Sequence, residues 1–204
     1  MRYIVATAIA AAFVAPVAAY AQDATSGATP GSFGGFHVEG NVGWDKSQAY
    51  GRNNEKLGYG GSAGFDGNLT DRITVGPEFS YWQPNNNRND VVAPAGNAVH
   101  QGRRMLGADV RIGYRLAPDL TVFGKGGYVN QSQRTYFELA DGSTGRTSGH
   151  ADGWQAGGGV QYSPHDRFSF APANLYLTGQ YVYSDFDNHT VDQHAMAGVG
   201  FRFR

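Results

Sequence analysis

Cysteine is absent from the 204-residue sequence, and charged residues make up only 16% of it. Without cysteine the chain has no disulfide scaffold, no thiolate metal site and no cysteine nucleophile. The formal net charge of −1 leaves no general excess of basic residues for nucleic acid. After residue 21 the sequence also lacks any apolar run long enough to cross a membrane as a helix.

Glycine and aromatic residues are abundant instead. The chain has 30 glycines, and aromatic residues make up 13% of it. Each glycine would weaken a helix by about 1 kcal/mol relative to alanine, which argues against a helical bundle. The aromatic content argues against a disordered chain. The composition therefore predicts a β protein.

The first 21 residues are typical of an export signal. Arg2 supplies a positive charge, residues 4–17 are largely apolar, and Ala19 and Ala21 provide the small residues of a signal-peptidase site. The alternative, a retained membrane helix, is disfavoured because the run is shorter than the roughly 20 residues that a bilayer needs. We predict cleavage after Ala21, a flexible lead-in over residues 22–32, and a folded domain over residues 33–204.

Strict alternation dominates the rest of the chain. In residues 106–115, apolar side chains alternate with glycine or charged residues without exception, which is the period of a β-strand. Similar alternation occurs in residues 36–44, 57–65, 73–81, 120–128, 154–162, 175–183 and 195–203. Two architectures fit: a soluble sandwich or lipocalin-like barrel with its apolar face inward, and a transmembrane barrel with that face toward lipid.

Three features favour the transmembrane barrel. Aromatic residues fall into two rows at opposite strand ends, as membrane interfaces require. Short connections at 68–71 and 117–119 contrast with long polar ones at 46–56, 83–101, 131–152 and 185–193, although 163–173 is long at the short end. The two aromatic rows are Trp44, Tyr59, Tyr81, Tyr128, Trp154 and Tyr183, and Phe36, Phe65, Tyr114, Tyr162, Phe201 and Phe203.

The third feature is a set of mid-strand charges of both signs on the polar faces. A one-residue register slip would place its cations in lipid at roughly 2–4 kcal/mol each. We therefore predict an eight-stranded antiparallel up-and-down transmembrane β-barrel whose lumen holds these charges as a structural ion network. A gated ion path is the alternative reading of the same residues. The network comprises Glu39, Glu78, Asp109, Arg111 and Lys125.

With these features the chain resembles the small outer-membrane β-barrels of the opacity-protein, OmpA-like and OmpX-like kind. The resemblance implies a bacterial outer-membrane location, with membrane lipid and lipopolysaccharide as surroundings. In that group the last strand ends on an aromatic residue that the barrel assembly machinery reads. Here Phe201 and Phe203 match that signal, although Arg204 follows them.

The resemblance leaves several functions open. We predict a monomeric, non-catalytic envelope structural protein or surface antigen, without a cofactor or metal, whose external loops mediate adhesion. A low-conductance porin for ions or small polar solutes is the first alternative. The second is a lipid-A-modifying barrel enzyme, and Ser148, His150 and Asp152 are its nearest candidates. We do not favour it, because we expect a flexible glycine-rich stretch there and catalysis needs a rigidly held nucleophile and base.

Two loop regions carry binding candidates. Residues 185–194 contain three carboxylates and two histidines, but their spacing matches no defined metal loop, and we predict a solvated external loop. The other long loops carry arginines suited to lipopolysaccharide phosphates or to a host or surface polymer, although a plain solvated face is the simpler interpretation. These arginines are Arg88, Arg103, Arg104, Arg134 and Arg146.

Overall fold

The computed structural model describes residues 34–49, 52–85, 89–93, 96–138, 143–164, 172–187 and 190–203. The predicted leader and lead-in lie outside these residues. Within the described ranges there are nine strands, numbered in chain order: β1 (Gly35–Ala49), β2 (Arg52–Asn68), β3 (Ile73–Pro84), β4 (Asn89–Ala93), β5 (Gly96–Ala117), β6 (Leu120–Glu138), β7 (Thr144–Tyr162), β8 (Leu175–Phe186) and β9 (Thr190–Phe203). No helix among the described residues has the length and apolar character of a membrane span.

Eight of the strands form one closed antiparallel ring. Their order is β3-β2-β1-β9-β8-β7-β6-β5, and pairing of β3 with β5 closes the sheet. The prediction of an eight-stranded barrel is therefore confirmed. The short strand β4 lies outside the ring and pairs with β5 alone among the described residues.

The apolar faces of the strands point outward. Val42, Trp44 and Ile112 are 64%, 54% and 55% exposed, whereas Glu78 and Arg111 are only 4% and 3% exposed inside the ring. A soluble barrel would show the reverse distribution. The predicted orientation is therefore confirmed, and the charges occupy the lumen.

Aromatic side chains border the apolar belt at both ends. Trp44, Tyr59 and Trp154 are more than half exposed at one end, and Phe36 and Phe203 are about half exposed at the other. The short connections, residues 69–72 and 118–119, lie at the end that holds Phe36. Because outer-membrane barrels have short turns on the periplasmic side, this is the inner end.

At the outer end the structure corrects the predicted loops. Much of 83–101 and 131–152 is strand, because β5 begins at Gly96, β6 continues to Glu138 and β7 begins at Thr144. An alternating apolar face identifies a strand in the sequence only where one side of the sheet meets lipid. Beyond the lipid that side becomes polar, although the backbone pairing continues. Within 163–173, residues 165–171 lie outside the described residues, and the described positions beside them are not strand.

The outward orientation predicts how the barrel tolerates a charge. Val110 is 39% exposed on β5, midway between Leu106 at the outer aromatic row and Tyr114 at the inner one. We expect Val110→Lys to lower the free energy of unfolding by about 2–4 kcal/mol, because its ammonium would lie near the bilayer midplane. Denaturant unfolding from lipid vesicles measures this. Leu116→Lys, at the inner end of the same strand, is the matched control with a cost near zero, and equal costs would contradict the orientation.

Candidate functional site

The lumen is filled by side chains. At Gly107 on β5, an added Cβ would lie 2.3 Å from both Gln155 Nε2 and Ser80 Oγ, so a larger residue there would displace both side chains. The described lumen contains cavities of about 30 and 10 Å³. Since a water molecule needs roughly 10–15 Å³, the larger cavity has room for about two waters and the smaller for at most about one. Among the described residues, side chains therefore fill most of the lumen.

Two carboxylates organise the charges in the inner half of the lumen. Glu78 lies 2.7 Å from Lys125 Nζ, 3.7 Å from Arg111 Nε and 3.4 Å from His37 Nε2. Asp66 Oδ2 forms salt bridges with Arg111 Nη1 at 3.2 Å and with Arg202 Nη2 at 2.8 Å. Arg111 thus joins both carboxylates, and its guanidinium also lies 4.1 Å from the centre of the Phe123 ring.

Only part of the network that we predict from the sequence is held together by ion pairs. Glu78 contacts both Arg111 and Lys125, as described above. Asp109 instead accepts a hydrogen bond of 2.6 Å from Gln155. Glu39 accepts hydrogen bonds from Thr178 at 2.9 Å and Gln180 at 3.0 Å. Both carboxylates therefore have neutral partners.

Three members of the network are not among the residues that we predict from the sequence. They lie near the inner ends of β1, β2 and β9, away from the mid-strand positions that we considered. Their signal was present, since each falls on the polar side of an alternating segment. These residues are His37, Asp66 and Arg202.

The outer half of the lumen combines an apolar cluster with polar contacts. Trp82 donates a hydrogen bond of 3.0 Å to Asp45, and its ring meets His194 edge-on at 5.2 Å. Gln131 donates a hydrogen bond of 2.6 Å to Asp192. The apolar cluster consists of Trp82, Met105, Val129, Ala151 and Phe186, with Met196 packed against it.

These contacts correct the interpretation of 185–194 as a solvated loop. Asp192 and His194 are 2% and 3% exposed, because β9 begins at Thr190 and turns both side chains into the lumen. His189 lies outside the described residues. No group of three or more metal-ligating side chains is found among the described residues.

Outside the membrane, β5, β6 and β7 continue as a protruding sheet. Because side chains alternate along a strand, residues an even number of positions from an outward aromatic residue also point outward. On β6, Ser132 and Arg134 therefore share the outward side of Tyr128. On β7, Arg146 and His150 share the outward side of Trp154. In the β6–β7 register, Ser132 faces His150 across the two strands.

A β-bulge adds two more arginines to the same side. Gly102 pairs with Gln133, and Met105 pairs with Gln131, so that Arg103 and Arg104 both stand opposite Ser132. A bulge places extra residues on one strand and redirects their side chains. Arg104 donates from Nε to Ser132 Oγ at 3.4 Å. We call this surface the arginine face, defined by Arg103, Arg104, Arg134, Arg146 and His150.

The arginine face contains a concavity of about 280 Å³ lined by Arg103, Arg104, Arg134, Ser148 and His150, among others. Arg134 donates a hydrogen bond of 3.3 Å to the hydroxyl of Tyr136. This hydrogen bond, with the charges of Arg146 and Arg103, lowers the pKa of Tyr136 below its usual value. The face is therefore a positively charged environment that favours anions. Arg88 lies outside the described residues.

Ser148, His150 and Asp152 do not form a catalytic relay. All three are on β7 rather than in a flexible stretch, which corrects our expectation. Asp152 accepts hydrogen bonds from Tyr128 and Asn130, and His150 Nδ1 lies 3.5 Å from the hydroxyl of Ser132. The carboxylate therefore does not orient the histidine toward Ser148.

Comparison with known proteins agrees with this geometry. The family model described as "Outer membrane protein beta-barrel domain" matches residues 6–203. The chain belongs to this outer-membrane β-barrel family. Its location is accordingly the bacterial outer membrane. No curated protein sequence shows a significant match to this outer-membrane barrel.

Solved structures show the same fold at low sequence identity. Ail, the attachment invasion locus protein of Yersinia pestis, solved in complex with the heparin analogue sucrose octasulfate, is similar with a TM-score of 0.57 and 16% identity; the match covers 83% of this chain and 99% of Ail. Neisserial surface protein A (NspA) is similar with a TM-score of 0.53 and 15% identity, over 82% of this chain and 97% of NspA.

The buried ion network predicts a non-additive mutational effect. We expect Lys125→Met to lower the free energy of unfolding by about 3 kcal/mol, because Glu78 loses its nearest cation while remaining buried. Adding Glu78→Gln should recover part of that loss, since the carboxylate charge is then gone. Urea unfolding in detergent micelles measures both variants. Strictly additive losses would show that the two residues do not act as a pair.

Proposed function

We propose that this outer-membrane barrel is a non-catalytic surface protein whose arginine face binds phosphate or sulfate groups on saccharides. The observation that carries the proposal is the convergence of Arg103, Arg104, Arg134 and Arg146 on one side of the protruding sheet. Guanidinium groups bind such anions with paired, charge-assisted hydrogen bonds. Asp152, an acidic residue on this side, is engaged by Tyr128 and Asn130.

The height of the arginine face supports two sources of the same anion chemistry. His150 lies four residues beyond Trp154 on β7, which corresponds to about 13 Å along a strand. That height suits the phosphates of lipopolysaccharide in the outer leaflet and remains open to sulfated polymers from outside. Ail, which shares the fold, was solved with a sulfated saccharide.

Polyanion binding should depend on the bulge. We expect Arg103→Ala/Arg104→Ala to weaken binding of sucrose octasulfate by about tenfold or more, because charge-assisted hydrogen bonds are lost. The matched control Lys46→Ala/Arg72→Ala removes the same charge away from the face and should bind like the parent. Calorimetry with the refolded protein measures the affinity.

A parallel titration separates the two sources. Lipopolysaccharide-containing vesicles and soluble sulfated polysaccharide are each compared with phosphatidylcholine vesicles alone. Preferential binding to the first supports an envelope role, and preferential binding to the second supports adhesion. Equal affinities for the arginine variant and the parent with both ligands would overturn the proposed function.

The packed lumen makes a pore the weaker candidate. The ion network and the apolar cluster of the outer half leave only small cavities in the described lumen. We expect planar-bilayer recordings of the refolded protein to show no stable steps on the nanosiemens scale, because ions would have to displace buried, paired charges. Large, long-lived steps would show that the lumen opens.

Processing and assembly complete the proposal. We propose that signal peptidase removes residues 1–21 and that the barrel inserts as a monomer. Phe201 and Phe203 would serve as the assembly signal. Both side chains point outward, 41% and 50% exposed, and the Phe203 ring lies 6.3 Å from that of Phe36. The terminal strand thus presents an aromatic edge at the inner rim.

A further inference from the structure

His150 borders the same opening as the arginines of the bulge. Its side chain is exposed on β7, and it lines the concavity of about 280 Å³ together with Arg103, Arg104 and Arg134. The hydroxyl of Ser132 lies between the two strands, with its Oγ 3.4 Å from Arg104 Nε and 3.5 Å from His150 Nδ1. A single anionic group in the concavity can therefore contact both Arg104 and His150.

The histidine differs in kind from the other members of the arginine face. Arginine keeps its charge at every pH of biological interest, whereas histidine is the side chain that ordinarily gains or loses a proton between about pH 5 and pH 8. A neutral imidazole carries one N–H donor and a protonated one carries two. Protonated His150 can thus donate from Nδ1 to Ser132 and from Nε2 to an anion at the same time.

The surroundings of His150 contain few groups that could pair with its protonated ring. Asp152 is two residues away on β7, but Tyr128 and Asn130 already donate to its carboxylate. On the side away from β6, the described pairing of β7 with β8 begins only at Gly153. The charged and titratable groups around His150 are Arg103 and Arg104 on β5, Tyr128, Arg134 and Tyr136 on β6, Arg146 and Asp152 on β7, and Asp187 just after β8.

These contacts lead to a role for the ring. We propose that His150 is an anion-binding residue of the arginine face, which contacts the same sulfate or phosphate group as Arg104 and takes up a proton from solvent when that group binds. An anion beside the ring favours its protonated form, and by linkage the protonated form binds the anion more tightly. The inference rests on the proposed function and adds a pH dependence that arginines alone cannot give.

The direction of that dependence follows from the proton balance. Because binding takes up a proton, the affinity for the anion should rise as the pH falls. A surface that binds saccharide sulfates or phosphates in this way would hold them more tightly in acidic surroundings and release them in alkaline ones.

The test uses the full-length protein refolded in an uncharged detergent, with sucrose octasulfate as the probe. Sulfate esters keep their charge over the whole range, whereas phosphate monoesters gain a proton near about pH 6, so the sulfated probe assigns any pH dependence to the protein. By isothermal titration calorimetry we expect the parent to bind about fivefold or more tightly at about pH 5 than at about pH 8. Titrations near neutral pH in two buffers of different ionisation enthalpy count the protons, and uptake should approach about one per ligand.

Two substitutions separate the proton from the position. Glutamine cannot be protonated, and lysine keeps its charge over this range. We therefore expect His150→Gln and His150→Lys both to lose the proton uptake, and His150→Lys to bind more tightly than His150→Gln at about pH 8. The matched control His100→Gln removes a histidine of β5 that is not a member of the arginine face and should keep the proton uptake of the parent.

A measurement on the parent alone covers the case in which the variants do not refold. Its histidine rings are labelled with a carbon isotope and followed by NMR at constant pH. One ring should shift toward the protonated position as sucrose octasulfate is added. A titration that shifts no ring would contradict the inference.

The two proposals fail separately. Proton uptake that persists in His150→Gln, or a parent affinity that does not change with pH, would overturn the role of His150 and leave anion binding by the arginines standing. Absence of sucrose octasulfate binding at every pH would overturn the proposed function, and this inference with it.

Discussion

Closure of the backbone ladder is the constraint on which the rest of this structure depends. Lipid offers no partner to a free amide or carbonyl, so a sheet that crosses the membrane must have no edge. Here the pairing of β3 with β5 supplies the last seam, and the short strand β4 between them is excluded from the ring. Once the ring is closed, strand period alone decides that every second side chain meets lipid and the others meet the lumen.

A ring of eight strands leaves a lumen only wide enough for side chains. Charges placed there must be neutralised within a few ångströms, which Glu78 and Asp66 achieve by sharing Arg111. The outer half of the lumen is filled differently, because Trp82 and its apolar neighbours take up much of the space beside Asp45 and His194. The side chains that stabilise the barrel are therefore the same ones that fill its lumen.

Beyond the outer aromatic row the constraint is relaxed, because water can satisfy backbone groups. Strands β5, β6 and β7 continue there with polar and charged side chains on the outward side. A bulge that would disrupt the ladder within lipid is tolerated at Arg103 and Arg104, and an unpaired edge is tolerated on β7. Both the bulge and the open edge thus lie where the membrane no longer demands a closed, regular sheet.

The sequence by itself determined the fold class, the eight membrane strands and their outward side, because lipid imposes one strict period on residues such as 106–115. It also located Glu78, Arg111 and Lys125 in the lumen. Three matters needed the tertiary structure: the sharing of Arg111 between Glu78 and Asp66, the burial of Asp192 and His194, and the convergence of the arginines. All three depend on the register between strands and on one bulge. Register and bulge bring together side chains that are far apart in the chain, and neither produces a repeating pattern in the sequence.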